Sequence, residues 1–160
     1  EAALTGDLVL STLHTNDAPS AVTRLTEMGI EPFLVGSSLD CVMAQRLARR
    51  LCQWCKQSYE PTRNELDAAR WPHELLPTPT ELWLPAGCRS CSNTGYHGRI
   101  AVHEVMPVSE GIERLAVEHG SAHEIQRVAV SEGMEVLRLD GLRKALTGET
   151  SLAEVLRVAI

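Results

Sequence analysis

Runs of apolar residues alternate along this chain between a period near two and a period near 3.6. Residues 7–13, DLVLSTL, follow a break at Thr5 and Gly6, and a run this short predicts a buried strand rather than a helix. It ends in His14, Thr15 and Asn16. Asn16 or Asp17 then caps a predicted helix whose Val22, Leu25 and Met28 share one face, with Gly29 as its stop. A second helix is expected from Pro32, a favourable first-turn residue, to about Leu51, with Val35, Leu39, Val42, Met43 and Leu47 facing inward. Arg46, Arg49 and Arg50 in its last turn would complement the helix dipole. Across residues 52–98 the apolar pattern weakens under prolines at 61, 72, 77, 79 and 85. This marks an insertion with little core of its own, apart from a short helix capped by Thr62 and Glu65. Residues 99–105, RIAVHEV, are strand-like, and alternation puts His103 and Glu104 on opposite faces, both in structural roles. After Pro107 the pattern is helical in three segments. Ser121 with Glu124 and Ser151 with Glu154 fit capping boxes, and Gly120, Gly133 and Gly148 stand where helices should stop.

A length of 160 residues with 44% hydrophobic content suits one compact domain, or one domain carrying a small module. The net charge of -6 argues against non-specific nucleic-acid binding, which needs clustered cations against phosphate. Thirteen of the fifteen cationic residues are Arg, a side chain suited to bidentate contacts with carboxylate or phosphate, although a high-GC genome yields the same bias. No apolar run reaches the length of a membrane span, and the start, EAALTGD, has no basic leader. With no initiating Met, and with residues 1–5 reading as the tail of a helix already under way, the expectation is a piece of a longer protein.

The cysteines carry the strongest chemical signal. Cys52-Gln-Trp-Cys55 and Cys88-Arg-Ser-Cys91 are two C-x-x-C pairs separated by 32 residues. Two residues between cysteines let both thiolates reach one ion from a tight turn, and two such turns complete a tetrahedral site. Closing the intervening loop costs only a few kcal/mol, whereas structural zinc contributes about 10 kcal/mol or more. Two disulfides or a redox dithiol compete with this reading. Five cysteines is an odd total for a disulfide framework, and a thioredoxin-like site needs one pair at a helix start beside a strand. With four sulfur ligands no position remains for a catalytic water, so the zinc would be structural. Cys41, placed among apolar residues of the predicted second helix, reads as core.

Four blocks, ALTGDLVLSTLHTNDAPSAVTRL, AQRLARRLC, GCRSCSNTGYHGRIAVHEVM and DGLRKALTGETSLAEVLRV, resemble in this order the C-terminal stretch of the ATPases of type II secretion and type IV pilus assembly. The resemblance covers nearly the whole chain and is weakest over residues 60–85. It implies an α/β fold: the C-terminal part of a RecA-like ATPase core (residues 1–51), a tetracysteine zinc-binding insertion (52–98), and a strand with a helical C-terminal tail (99–160). It implies a homohexameric ATP hydrolase that uses ATP and Mg2+ and acts on an inner-membrane platform protein. Such a motor is cytoplasmic, held at the inner membrane through its partners, and binds no nucleic acid. The cysteine pairs point to the assembly branch, since the retraction branch lacks them.

Residues 5–16 are similar to the family's His box, which puts His14 near the γ-phosphate as the catalytic candidate; an imidazole there can donate to phosphate or orient a water. A local cap is the alternative role for a lone His beside Thr and Asn. The family often has His after Thr-Gly, where this chain has Asp7, which leaves a second His role unsupported. Arg46, Arg49, Arg50 and Arg99 lie in matching blocks; helix-end charge and a turn contact account for them without a ligand, and the resemblance offers Arg46 and Arg99 as nucleotide contacts. Neither Lys56 nor Lys144 follows a Gly, so the chain has no G-x-x-x-x-G-K-[ST] loop, and these 160 residues alone are expected to be inactive. The rival readings are a zinc-dependent protein- or nucleic-acid-binding module, and a structural domain of another P-loop ATPase. CRSCSNTGYHG does look like one unit of a chaperone cysteine-rich repeat, but the helical body is more than such a module needs.

Overall fold

The computed structural model describes residues 2–159. The chain divides into two compact units. One comprises residues 1–44 and 104–136, the other residues 45–103 and 137–160. Strands β1 (Cys41–Leu51) and β4 (Tyr96–Pro107) pair with each other, and each passes from one unit into the other.

In the first unit, α1 (Pro19–Glu27) begins where the sequence puts it, with the Asp17 carboxylate accepting from the Ser20 N–H at 2.8 Å. α2 (Pro32–Ser38) packs on α4 (Glu110–Val117), and α1 on α5 (Ala122–Ser131). Val22, Val35, Ile112 and Ile125 are buried between them. Glu104 is also buried, and its carboxylate accepts from the Ala18 N–H at 2.9 Å, tying β4 to the start of α1. The reciprocal capping box of Ser121 and Glu124 is formed as expected. Gly29 and Gly133 end α1 and α5 with positive φ, but after α4 it is His119, at φ 57°, that turns left-handed just before Gly120.

Three expectations are corrected here. The run at residues 7–13 forms no regular element, and Leu8 and Leu10 are more than four-fifths exposed. A strand must satisfy its amides on a partner, and among the described residues none pairs with it. The second helix stops at Ser38, and residues expected to continue it form β1, in which Ala44 and Ala48 are buried and the odd-numbered positions 41–49 are exposed. Helix-favouring Ala, Met, Gln and Arg invite the helical reading, but pairing with β4 overrides propensity. Cys41 therefore sits on the exposed face of β1 and not in a core.

The second unit contains the region between the cysteine pairs. β2 (Lys56–Tyr59) and β3 (Leu82–Pro85) form an antiparallel pair with Lys56 opposite Pro85 and Tyr59 opposite Leu82. The connection carries α3 (Arg63–Ala68), closed by the expected Thr62/Glu65 capping box, and buries Leu66, Ala69 and Trp71. The tail after Pro107 holds four helices rather than three, ending with α6 (Leu137–Leu146) and α7 (Leu152–Val158), which pack together in this unit. Asp140 pins α6 to β4 by accepting the His103 N–H at 2.7 Å, and Lys144 donates to the Ala101 carbonyl at 2.9 Å.

Candidate metal centre

The four cysteines of the two C-x-x-C pairs converge. Their sulfurs all lie within 4.8 Å of one another. Cys52 follows the last residue of β1, and the turn from Cys52 to Cys55 is closed by the Lys56 N–H donating to the Cys52 carbonyl at 3.0 Å. Because Lys56 is paired with Pro85, the β2–β3 ladder delivers the second pair to the same end of the hairpin. There a 3-10 turn over Arg89–Cys91 is closed by the Cys91 and Asn93 N–H groups, both donating to the Cys88 carbonyl. Gly95 lets this turn close against Pro85: its φ is +75°, and a Cβ there would overlap the proline ring.

The spacing suits a metal. Tetrahedral coordination at about 2.3 Å separates sulfurs by about 3.8 Å. Here Cys52 and Cys88 are 3.9 Å apart, Cys55 and Cys91 3.8 Å, and Cys88 and Cys91 3.7 Å. All are far beyond the ~2.0 Å of a disulfide. The backbone N–H groups of Cys88 and Gly95 each donate to the Cys91 sulfur at 3.2 Å. Burial works against ionising Cys91, yet these two amides, with sulfur contacts from Cys88 and Cys55, bring its thiol down to about 6. Burial pushes the Cys55 thiol up to about 12, and its three sulfur neighbours add to the rise while the Gly87 backbone opposes it. One sulfur thus takes the negative charge while a neighbour keeps its proton, and a dication would let all four ionise. Four soft sulfur donors in this geometry can hold a metal ion such as zinc, and leave no open position for water.

The profile of the family described as "Type II/IV secretion system protein" matches residues 1–157. The chain belongs to this family. It is 51% identical over 97% of its length to a type IV pilus assembly ATPase PilB of Myxococcus xanthus, covering 27% of that protein. It is 47% identical over 98% of its length to PilB of Thermus thermophilus, covering 17% of it, and 45% identical over 99% to type II secretion system protein E of Aeromonas hydrophila, covering 31%. The chain therefore spans between about a sixth and a third of the length of these curated relatives.

The other residues singled out by the resemblance to secretion ATPases are not gathered at the cysteines. His14 is exposed in the irregular segment before α1 and belongs to the first unit. Arg46 and Arg99 belong to the second. Arg46 is half-buried and donates to the neighbouring Gln45 carbonyl at 3.2 Å, while Arg99 is exposed on β4. Arg49 takes a role that helix-end charge does not describe. It lies on β1, donates through Nη2 to Glu154 at 2.6 Å, and stacks 4.1 Å from the centre of the Tyr96 ring.

Glu154 is a residue the sequence reading gave a different task. Ser151 caps α7 as expected, accepting from the Glu154 N–H. The Glu154 carboxylate does not return the bond; it is buried against Arg49 and Arg157. The surplus of arginines over lysines was the available signal for such a pairing. Lys56 was likewise missed: its ammonium donates to the Gly148 carbonyl at 2.9 Å and lies over the Trp83 ring at 4.4 Å.

Proposed function

We propose that these 160 residues are the C-terminal portion of a hexameric ATPase motor that powers type II secretion pseudopilus or type IV pilus assembly. The observation that carries this is the identity of 45–51%, over 97% or more of the chain, to proteins named for those two systems. On this reading residues 1–51 complete a RecA-like core, residues 52–98 are the zinc-binding insertion and residues 99–160 the C-terminal subdomain. Cys52, Cys55, Cys88 and Cys91 hold a structural Zn2+, which supplies a cross-link and no catalysis. ATP and Mg2+ serve the full-length protein. His14 acts at the γ-phosphate as hydrogen-bond donor or water-orienting group, and Arg46 and Arg99 contact nucleotide.

The partners are further copies of the chain in a homohexamer and an inner-membrane platform protein, with no nucleic acid, and the motor works from the cytoplasmic side. Among the described residues no helix is long and apolar enough to cross a membrane.

The deciding experiment is metal analysis and ATP turnover on the purified full-length protein. The expected result is one zinc per chain, lost when the four cysteines are replaced by Ser, together with Mg2+-dependent hydrolysis. A protein with two disulfides and no zinc would refute the metal assignment, and one with no turnover in any oligomeric state would refute the motor.

A further inference from the structure

The two cysteine flanks meet a third segment of the second unit. The turn between α6 and α7, residues 147–151, is buried at Gly148, Thr150 and Ser151. From the first pair's side, the Leu51 N–H donates to the Glu149 carbonyl at 2.9 Å, and Lys56 Nζ donates to the Gly148 carbonyl. The Thr150 hydroxyl returns a bond to the Arg49 carbonyl at 2.8 Å. From the second pair's side, the Tyr96 hydroxyl pairs with that of Ser151 at 2.8 Å. Leu51 and Lys56 are each one residue from a ligand cysteine, and the Cys52 N–H donates to the carbonyl of Gly95, whose own N–H reaches the Cys91 sulfur. The fit leaves no slack: Gly148 has φ +68°, and a Cβ there would stand 2.7 Å from Lys56 Nζ and 2.8 Å from the Trp83 ring.

We infer that metal binding at the four cysteines and seating of the 147–151 turn, with α7 behind it, are one coupled equilibrium. This rests on the metal reading of the cysteine site. The β1–β4 pairing and the Cys52–Gly95 bond already bring the two flanks together; a cation at the four sulfurs adds a cross-link beside the turn and narrows the separations the flanks sample around the one at which the turn satisfies bonds from both. Removing the ion leaves the flanks joined by the β1–β4 pairing, the Cys52–Gly95 bond, thiol contacts and the short β2–β3 ladder, but takes away the tie nearest the turn, so the turn opens more often. Linkage requires the reverse as well: whatever unseats the turn weakens metal binding by the same factor. The C-terminal helix thereby reports whether the site is loaded.

The test is hydrogen exchange on the full-length protein, zinc-loaded and then chelator-stripped in reductant. The amides of Leu51, Glu154 and Val155 should exchange about tenfold faster without metal, while those inside α4 and α5 keep their rates. In competition with a chromophoric chelator, Gly148→Ala should lower zinc affinity about tenfold. Tyr96→Phe, which removes a single hydroxyl and keeps the ring, should lower it about fivefold. Unchanged exchange at the turn overturns the coupling while leaving the metal site standing. So do unchanged affinities in both variants, or an equal loss of protection throughout α4 and α5. A native protein that takes up no zinc on these thiols overturns both the coupling and the metal site.

Discussion

Replacing Glu154 by Gln keeps the shape of the side chain and removes its charge from a site where it is about 2% exposed. Oε1 accepts from Arg49 Nη2 at 2.6 Å and from Arg157 Nε at 2.9 Å. Oε2 accepts from Arg157 Nη2 at 2.8 Å and from the Arg49 backbone N–H at 2.9 Å. Burial alone would raise this carboxyl, but the bonds from Arg157 and Arg49 outweigh it and hold it at about 2, against an ordinary 4.5. At about 1.36 kcal/mol per pH unit, the fold favours the ionised form by roughly 3 kcal/mol. Because the folded value is depressed, this stabilisation is complete above about pH 4.5 and is lost as the pH falls towards 2. Urea unfolding of the wild-type chain and Glu154→Gln, in reductant and chelator throughout so that metal does not vary with pH, should differ by about 3 kcal/mol at pH 7. The difference should shrink below about pH 4.5 and approach zero near pH 2. A difference under about 1 kcal/mol at pH 7, or one that stays constant through acid, would refute the reasoning.

Three further outcomes are expected. If the proposed role of His14 holds, His14→Ala in the full-length protein should lower kcat by roughly ten- to a thousandfold with nucleotide Kd and Tm nearly unchanged, whereas a local cap would show as about 1 kcal/mol of lost stability with normal turnover. The 160 residues expressed alone should give no ATP hydrolysis above buffer background after repurification, since they contain no phosphate loop; turnover that persists would count against the proposal. Ser121→Ala removes the side-chain acceptor of the Glu124 N–H at the start of α5 and should cost about 1 kcal/mol by thermal or urea unfolding, with zinc content unchanged.

Where the chain's local chemistry is self-contained, the sequence reading matched the structure. The starts of α1, α3 and α5 are set by Asp17, by Thr62 with Glu65 and by Ser121 with Glu124, because a cap acts on amides two or three residues away. The convergence of four cysteines that could hold a metal ion was legible for the same reason, since two residues between cysteines fix the bite of each pair whatever lies between the pairs. Membership of the secretion ATPase family was legible from four short blocks. Which unit His14, Arg46 and Arg99 belong to was not, because no local spacing encodes it.

What the sequence alone determined is thus the caps, the cysteine bite and the family. Tertiary structure decided the rest, through a partner distant along the chain or through the lack of one among the described residues. Residues 41–51 have the composition of a helix and form a strand because β4 bonds to them. Residues 7–13 have the composition of a strand and form none, because an extended segment gains its hydrogen bonds only from a partner. Glu154 looks like half of a capping box, but its carboxylate turns to Arg49, 105 residues away, because burial makes two guanidinium partners worth more than one local amide.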